Sequence, residues 1–505
     1  MRFFIPTLVF LCGLVGCRPI SDHNTSQVAE LIHASPESQG IHSKNVIDFL
    51  DSIMAIKKTE IHHVMILRHG RIVAELHPYP FQADNGLPLY SCSKTFVSAA
   101  LGIAINDHLL DLDDRVVSFF SEITDYVDKR VELITIEDLL TMRSGFMVDW
   151  DIREDNTNWV QSYLTRPLAC KPGKVFCYDS MNTYLLSAIL QRVTGESLLD
   201  YLNRNLFAQM DINDAKWELS PEGIVTGGWG LYLKIESLAK FGHLLLCEGK
   251  WNGKQLIPSK WVKKMMQVHV NNSGNDDYCY HMWRCSSLEA VRADGAFGQL
   301  IYIIPNSDMV VVLSQCFLDD YKEEEFLIKN VLLPDIRDNE LVDGDDFIKL
   351  KNMQVNSTMP LLQGKRESSI SQALIGKQYK LEPNILKWNS VRFVSSPDML
   401  VMEIEDVNGI TSEVRMGYKK WILSSVSFLP LEPRIHTVNR FSAFLHSFHI
   451  GTCYAWSGEE LRVKMHFVDW VSSLFLSFHY VNNHLCIEAK TNFSDDSIVI
   501  NGIVK

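Results

Sequence analysis

In Leu89-Tyr90-Ser91-Cys92-Ser93-Lys94-Thr95 a serine stands at the start of a helical pattern that runs to about Asp107, and a lysine follows three residues later. Residues three apart on a helix share a face, so the hydroxyl and the amine are predicted to lie one turn apart. A serine hydroxyl is a weak nucleophile until a base takes its proton. A lysine amine can be that base if burial or nearby positive charge lowers its pKa, and a helix N-terminus favours both the neutral amine and a developing anion. The chemistry this spacing suggests is attack on a carbonyl, with Ser91 as nucleophile and Lys94 as its proton acceptor.

Ser-x-x-Lys alone is a weak signal, because Ser237 and Lys240 repeat it inside an ordinary amphipathic pattern, Ile235-Glu236-Ser237-Leu238-Ala239-Lys240. Two other segments select Ser91. Phe176-Cys177-Tyr178-Asp179-Ser180-Met181-Asn182 follows a Pro-Gly turn and offers a phenol that can relay a proton. Ala293-Asp294-Gly295-Ala296-Phe297-Gly298-Gln299 opens a strand with glycines, which let a substrate approach bare backbone. Cys92 is not read as a nucleophile, since one step along a helix turns a side chain by about 100°. The 17 histidines, including the pair His62-His63, show no spacing that holds a metal, so neither a metal nor a cofactor is expected.

Taken in order, Ser-x-x-Lys, Tyr-x-Ser and a glycine-bearing strand resemble the serine β-lactamase and penicillin-binding superfamily. The likeness is greatest to its class C and esterase side, including the branch of 6-aminohexanoate-dimer hydrolases. Surrounding text supports it, among it Leu110-Asp111-Leu112-Asp113-Asp114-Arg115-Val116, Ile134-Thr135-Ile136-Glu137-Asp138-Leu139-Leu140-Thr141-Met142-Arg143-Ser144-Gly145 and Gly227-Gly228-Trp229-Gly230-Leu231-Tyr232. The resemblance spans roughly residues 35 to 335. It implies an acyl-enzyme formed on Ser91, with Lys94 accepting or relaying the proton and Tyr178 serving the leaving group and later water. It also implies support from Ser180, where many relatives carry Asn, and an oxyanion held between the N–H of Ser91 and one from the Gly295/Ala296 strand. At the third motif β-lactamases carry Lys or His, then Thr or Ser, then Gly, which receives a substrate carboxylate. Here the positions read Ala293-Asp294-Gly295, and Asp294 puts a carboxylate where a cation cluster is the rule. The resemblance therefore favours a hydrolase of small amides, esters or peptides over a β-lactamase or D-Ala-D-Ala carboxypeptidase. A surface binding lipoprotein with a degenerate hydrolase fold is the alternative from another class.

Positioning these groups requires a sheet with helices packed on it. Helical patterns are read from Ser43 to Ile53, Ile136 to Met142, Tyr184 to Val193, Leu198 to Leu206 and Ile235 to Leu246. Strand pairs are read at Val64 to Glu75, around His69-Gly70, and at Leu300 to Leu313, around Pro305-Asn306-Ser307-Asp308. Strands at both ends of a helical region predict one antiparallel sheet flanked by helices, an α/β (α+β) fold of the β-lactamase/transpeptidase kind, over residues 41–338. A charged linker is read over 339–370. Residues 371–505 alternate apolar and polar positions between turns, as in Leu400-Val401-Met402-Glu403-Ile404-Glu405 before Asn408-Gly409, and predict a C-terminal all-β, barrel-like domain whose interior side chains fill it.

The 505 residues carry 48 Lys and Arg against 61 Asp and Glu, a formal charge of −13, which excludes nucleic acid as a plausible partner. Residues 1–17 join one positive charge, a short apolar run and Leu14-Val15-Gly16-Cys17, which resembles a bacterial lipoprotein signal. Cys17 is the expected lipidation site and 18–40 a tether, placing the protein on the cell envelope through a lipid anchor. Nine further cysteines without C-x-x-C pairs argue against a zinc site or a disulfide scaffold. Cys170 and Cys177 can bridge in an oxidising compartment, with two free thiols the plainer reading.

Overall fold

The computed structural model describes residues 31–126, 128–149, 151–154, 158–272, 276–317, 322–431 and 447–505. The leader, Cys17 and most of the expected tether lie outside the described residues.

The first region is built on a seven-stranded sheet in the spatial order Ile32–His33, Arg71–Leu76, Glu60–Arg68, Met309–Cys316, Gln299–Ile304, Ala290–Gly295 and Trp283–Cys285. The early hairpin joins the late one through Ile66↔Val311 and its neighbours, so the sheet is closed by residues far apart in the chain. Period-two alternation then sorts the side chains. Val64, Ile66, Tyr302, Val311 and Leu313 pack with Phe49, Leu50 and Ile53 of the helix Ser43–Met54 on one face. Met65, Leu67, Ile301, Ile303, Val310 and Val312 pack against the other helices on the opposite face.

Two details depart from the sequence reading. The sheet is antiparallel except at its edge, where Ile32 and His33 pair in parallel with Arg71 and Ile72. Residues 31–40 are thus not simply a tether. Buried Glu37 accepts hydrogen bonds from the N–H and hydroxyl of Ser43, both at 2.7 Å, and so satisfies a donor at the start of the first helix. The expected linker 339–370 contains the helix Asp345–Asn356, whose Leu350 is buried in the cluster beneath the first helix.

The helix Ser93–Asn106 is buried from Ser93 to Ala104 because it runs between the sheet side and the helical side of the region. Phe96 stacks on Phe241 at 3.8 Å, which ties it to the helix Ile235–Leu246. The helix Ser180–Thr194 begins with Asp179 as its cap, accepting the N–H of Met181 at 2.9 Å.

Past residue 377 the strands pair in hairpin order from Thr411–Tyr418 through Met399–Asp406, Trp388–Ser395, Gln378–Leu381, Ser494–Val504, His484–Thr491, Ser473–Val481 and Glu460–Phe467 to Phe448–Ser457. Pairing of Gly417 with Cys453 and Tyr418 with Tyr454 closes these nine strands into a barrel. Closure removes exposed strand edges. Ile422–Val426 adds a further strand beside Phe448–Ser457. Val391, Phe393, Met402, Ile404, Met416, Met465, Leu476, Phe478 and Ile487 alternate with outward residues and pack into one buried cluster.

Candidate active site

Ser91 occupies the single 3-10 turn Tyr90–Cys92 that leads into the helix Ser93–Asn106. Lys94 Nζ donates to Ser91 Oγ at 2.7 Å and to the carbonyl of Gly228 at 2.6 Å. Only 1% of Lys94 is exposed. Burial pulls its pKa from the ordinary lysine value down to about 7, against the pull of Asp179, Cys92 and Asp294 and with a smaller push from the cation of Arg153. An amine that titrates near neutrality can hold or release a proton at working pH.

Tyr178 lies beside the pair, with Lys94 Nζ 4.9 Å from its ring centroid. Burial raises the phenol pKa well above its usual value, and a hydrogen bond with Ser91 opposes the rise. The phenol is therefore a proton donor at neutral pH. Tyr178 packs against Trp283 at 5.5 Å and Tyr278 at 6.0 Å, and Phe176 lies 5.1 Å from Tyr278, so an aromatic wall flanks the hydroxyl.

The strand Ala290–Gly295 ends against the nucleophile turn. A Cβ on Gly295 would sit 2.3 Å from the carbonyl oxygen of Leu89 and 3.3 Å from the N of Cys92, so glycine permits this approach. The thiol of Cys92 donates to the carbonyl of Gln299 at 2.8 Å, which ties the nucleophile turn to the start of the neighbouring strand Gln299–Ile304. Cys92 is a packing residue, and burial raises its pKa well above the usual thiol value. Gly295 is thus brought against the turn that carries Ser91, and Ala296 follows it in the chain.

Asp294 is not a bare anion in the cleft. Its carboxylate accepts from Arg292 Nε at 3.1 Å, two residues back on the same strand face. Arg292 also contacts Asp276 and Glu325, both at 2.7 Å, and the sulfur of Cys285 at 3.2 Å.

Ser180 makes no hydrogen bond with Lys94. It is buried at the start of its helix, but the hydrogen bonds of Lys94 go to Ser91 and to Gly228. A Cβ on Gly228 would meet the carbonyl oxygen of Ser180 at 2.5 Å, so glycine lets the Gly227–Gly230 loop lie on the helix start and present its carbonyl to the amine. The decoy pair is engaged elsewhere: Ser237 Oγ donates to Asp214 at 2.8 Å and Lys240 pairs with Glu236 at 3.1 Å. Trp229 is half-buried between Trp159, at 5.9 Å, and the guanidinium of Arg153, at 5.2 Å. Cys170 and Cys177 are free thiols. Among the described residues no cluster of three or more His, Cys, Asp or Glu is arranged to hold a metal ion.

Sequence reasoning missed Gly228, Asp179 and Arg292 as parts of the site. The consecutive glycines at 227 and 228 are a signal for close backbone approach, and Arg292 could be found from its i, i+2 relation to Asp294. Asp179 precedes a helix and reads as a cap; its 3.8 Å contact with Arg166 and its bond from the Tyr163 hydroxyl, at 2.8 Å, depend on long-range folding.

A family model described as beta-lactamase matches residues 52–329, more than half of the chain. The 6-aminohexanoate-dimer hydrolase of Paenarthrobacter ureafaciens is 23% identical over 276 residues, covering 49% of this chain and 70% of that protein. An uncharacterized protein of Alkalihalophilus pseudofirmus is 23% identical over 266 residues, covering 46% and 74%. Among solved structures, a putative 6-aminohexanoate-dimer hydrolase from Bacillus anthracis matches with a TM-score of 0.50 and 19% identity over 60% of this chain and 86% of that one. The match spans six of the sheet's seven strands, the Ser91 helix and the Tyr178 segment, and the chain belongs to the beta-lactamase family of serine hydrolases.

Proposed function

We propose that this protein hydrolyses amide or ester bonds of small molecules or short peptides through an acyl-enzyme on Ser91. The observation that carries the reading is the buried Lys94 amine, hydrogen-bonded to Ser91 Oγ and held near pKa 7. Neutral Lys94 takes the hydroxyl proton as Ser91 Oγ bonds to the carbonyl carbon, and the carbonyl π electrons move to the oxygen. The N–H groups of Ser91 and Ala296 receive that oxyanion. As the tetrahedral intermediate collapses, Tyr178 gives a proton to the departing nitrogen or oxygen and is reprotonated from Lys94. Water then attacks the acyl-enzyme with the same groups running in reverse.

The substrate preference rests on the third motif. Ala293 is buried in the core where β-lactamases place a cation, and Asp294 is taken by Arg292. The aromatic wall of Tyr178, Trp283 and Phe176 suits an apolar leaving group. One observation favours a carboxylate-bearing substrate such as a β-lactam or a D-Ala-D-Ala peptide: the guanidinium of Arg153 lies 5.2 Å from the ring of Trp229, next in the chain to the Gly228 carbonyl that holds Lys94. Turnover of p-nitrophenyl acyl esters, nitrocefin and a D-Ala-D-Ala peptide separates the two. Preferred ester turnover is expected, and strong turnover of nitrocefin alone would reverse the preference. Labelling by a fluorophosphonate, with mass spectrometry placing the adduct on Ser91, tests the nucleophile; an intact protein left unlabelled would point to a non-catalytic binding role.

A further inference from the structure

The barrel reaches the nucleophile. Tyr90, directly before Ser91, and Phe297, directly after Ala296, are both non-glycine residues with left-handed backbones, at φ 47° and φ 64°. Such conformations are costly for residues with a Cβ and persist where surrounding packing over-determines them. Their rings meet at 5.2 Å, edge to face. The third partner comes from the barrel: the ring of Trp470 lies 6.4 Å from Tyr90, and 5.8 Å from Tyr232. Tyr232 pairs with Pro88, two residues before Tyr90, so Trp470 packs against the turn and against the strand paired with the residues that lead to it.

Trp470 is itself firmly held. It is 1% exposed, in the short connection between Glu460–Phe467 and Ser473–Val481. Neighbouring Asp469 accepts the backbone N–H of His449 at 3.1 Å and pairs with its ring at 3.0 Å, and the carbonyl of Val471 accepts from Asn492 at 3.0 Å. The next strand is pinned to the catalytic sheet, for Glu60 accepts from the Ser473 hydroxyl at 2.6 Å and from Asn492 at 3.2 Å and contacts His466 at 3.1 Å. Phe493 of the barrel stands 6.3 Å from Phe297.

We infer that Trp470 is a positioning residue for the acylation step: by clamping Tyr90, and through it Phe297, the barrel fixes the two backbone donors, Ser91 and Ala296, that face the developing oxyanion. This rests on the assignment of Ser91 as nucleophile. Trp470 does not touch substrate in this account. It holds the two left-handed residues so that the donors need not reorganise as charge develops, which is where preorganised donors act. A misplacement of about 1 Å in such a site can cost on the order of 10²-fold in rate.

The test uses the full mature chain with a p-nitrophenyl ester and an alkylboronic acid, which forms a tetrahedral adduct on the nucleophile. Trp470→Ala is expected to lower kcat by about 10- to 100-fold with KM within about threefold, since the interaction matters in the transition state, and to weaken boronate binding by a similar factor. Trp470→Phe keeps a ring in place and is expected to restore most of both. Phe393→Leu trims the barrel core at its contact with Phe478, and should lower the thermal midpoint while kcat stays near wild type. Should Trp470→Ala not fold, Trp470→Leu supplies the same comparison. A folded Trp470 variant with wild-type kcat and boronate affinity overturns the inference, as does a kcat loss in Phe393→Leu that matches the Trp470 variants at equal loss of thermal midpoint. Retained turnover in Ser91→Ala would instead remove the nucleophile assignment, a distinguishable failure.

Discussion

The position of the acid limb in the pH–rate profile follows from the burial of Lys94. An ordinary lysine, at pKa 10.5, is neutral in only about 3 molecules in 10⁴ at pH 7, whereas one at about 7 is neutral in about half of them. That is a gain of roughly 10³ in available base, or about 4 kcal/mol at 1.36 kcal/mol per pH unit. The rate constant kcat/KM for a neutral ester should therefore fall about tenfold per pH unit well below 7 and level off above about 8. Asp179 provides the perturbation, because its negative charge is the largest influence opposing the effect of burial on Lys94. In Asp179→Asn the amide oxygen can still cap Met181, and asparagine caps a helix as well as aspartate does; the amide NH2 takes the place of the oxygen that accepts from Tyr163 and can donate to that hydroxyl, which keeps Asn182 as its acceptor. Loss of the anion should move the acid limb to lower pH with little change in thermal midpoint. His281 is also near, but burial, with repulsion from Lys94, keeps its pKa well below the usual range, so it does not generate this limb. The measurement is kcat/KM from pH 5 to 9 at constant ionic strength. A flat profile, or a limb that stays in place in a folded Asp179→Asn, would refute the role of Lys94 as the titrating base.

The same shift makes Lys94 a cost to stability. Its folded pKa is depressed, so the unfolded chain binds the extra proton between about 7 and 10.5, stability rises with pH across that window, and the cost is full below it. Lys94→Met should be inactive yet more stable at pH 6, by on the order of 1–3 kcal/mol after loss of two hydrogen bonds, with an advantage that shrinks by pH 9 in thermal melts. Ser91→Ala should abolish turnover and fluorophosphonate labelling together. Ser237→Ala should lose only about 1 kcal/mol from its bond to Asp214 and keep its activity, and the reverse pattern would overturn the site. Asp294→Lys should move selectivity towards carboxylate-bearing esters by on the order of tenfold without raising turnover of neutral ones, as judged by paired kcat/KM values. Cys17→Ala should release the protein from the membrane fraction, and identical partition of variant and wild type would end the lipid-anchor proposal.

The parts of the fold legible in the sequence are those where a local pattern and the tertiary environment agree. The helices Ser43–Met54 and Ile235–Leu246 show one apolar face, and the hairpin Gln299–Cys316 is marked by its Pro-Asn-Ser-Asp turn. Ser91, Lys94 and Tyr178 were legible as an ordered set of motifs, and the structure brings them within contact of one another. What escaped has no local signature. Gly228 replaces a side chain with a backbone carbonyl, and no residue type announces that an oxygen of the main chain will face a lysine. The parallel edge at Ile32–His33 is two residues long, too short for periodicity. Trp470 is 379 residues beyond the nucleophile, so only barrel closure can reveal its place beside Tyr90.

The altered third motif and the lysine base constrain each other. A carboxylate at position 294 raises the pKa of Lys94, and burial of the amine outweighs it. Arg292 pairs with that carboxylate from the same strand face, at 3.1 Å. Arg292 also pairs with Asp276 and Glu325, each at 2.7 Å, so one guanidinium is shared by three carboxylates. The exchange of a cation-bearing motif for Ala293-Asp294 is thus a rearrangement of several charges across three chain segments. Loss of the motif's cation removes the group that would receive a substrate carboxylate, and burial holds the Lys94 amine near neutrality, the combination on which the proposed preference for neutral amides or esters rests.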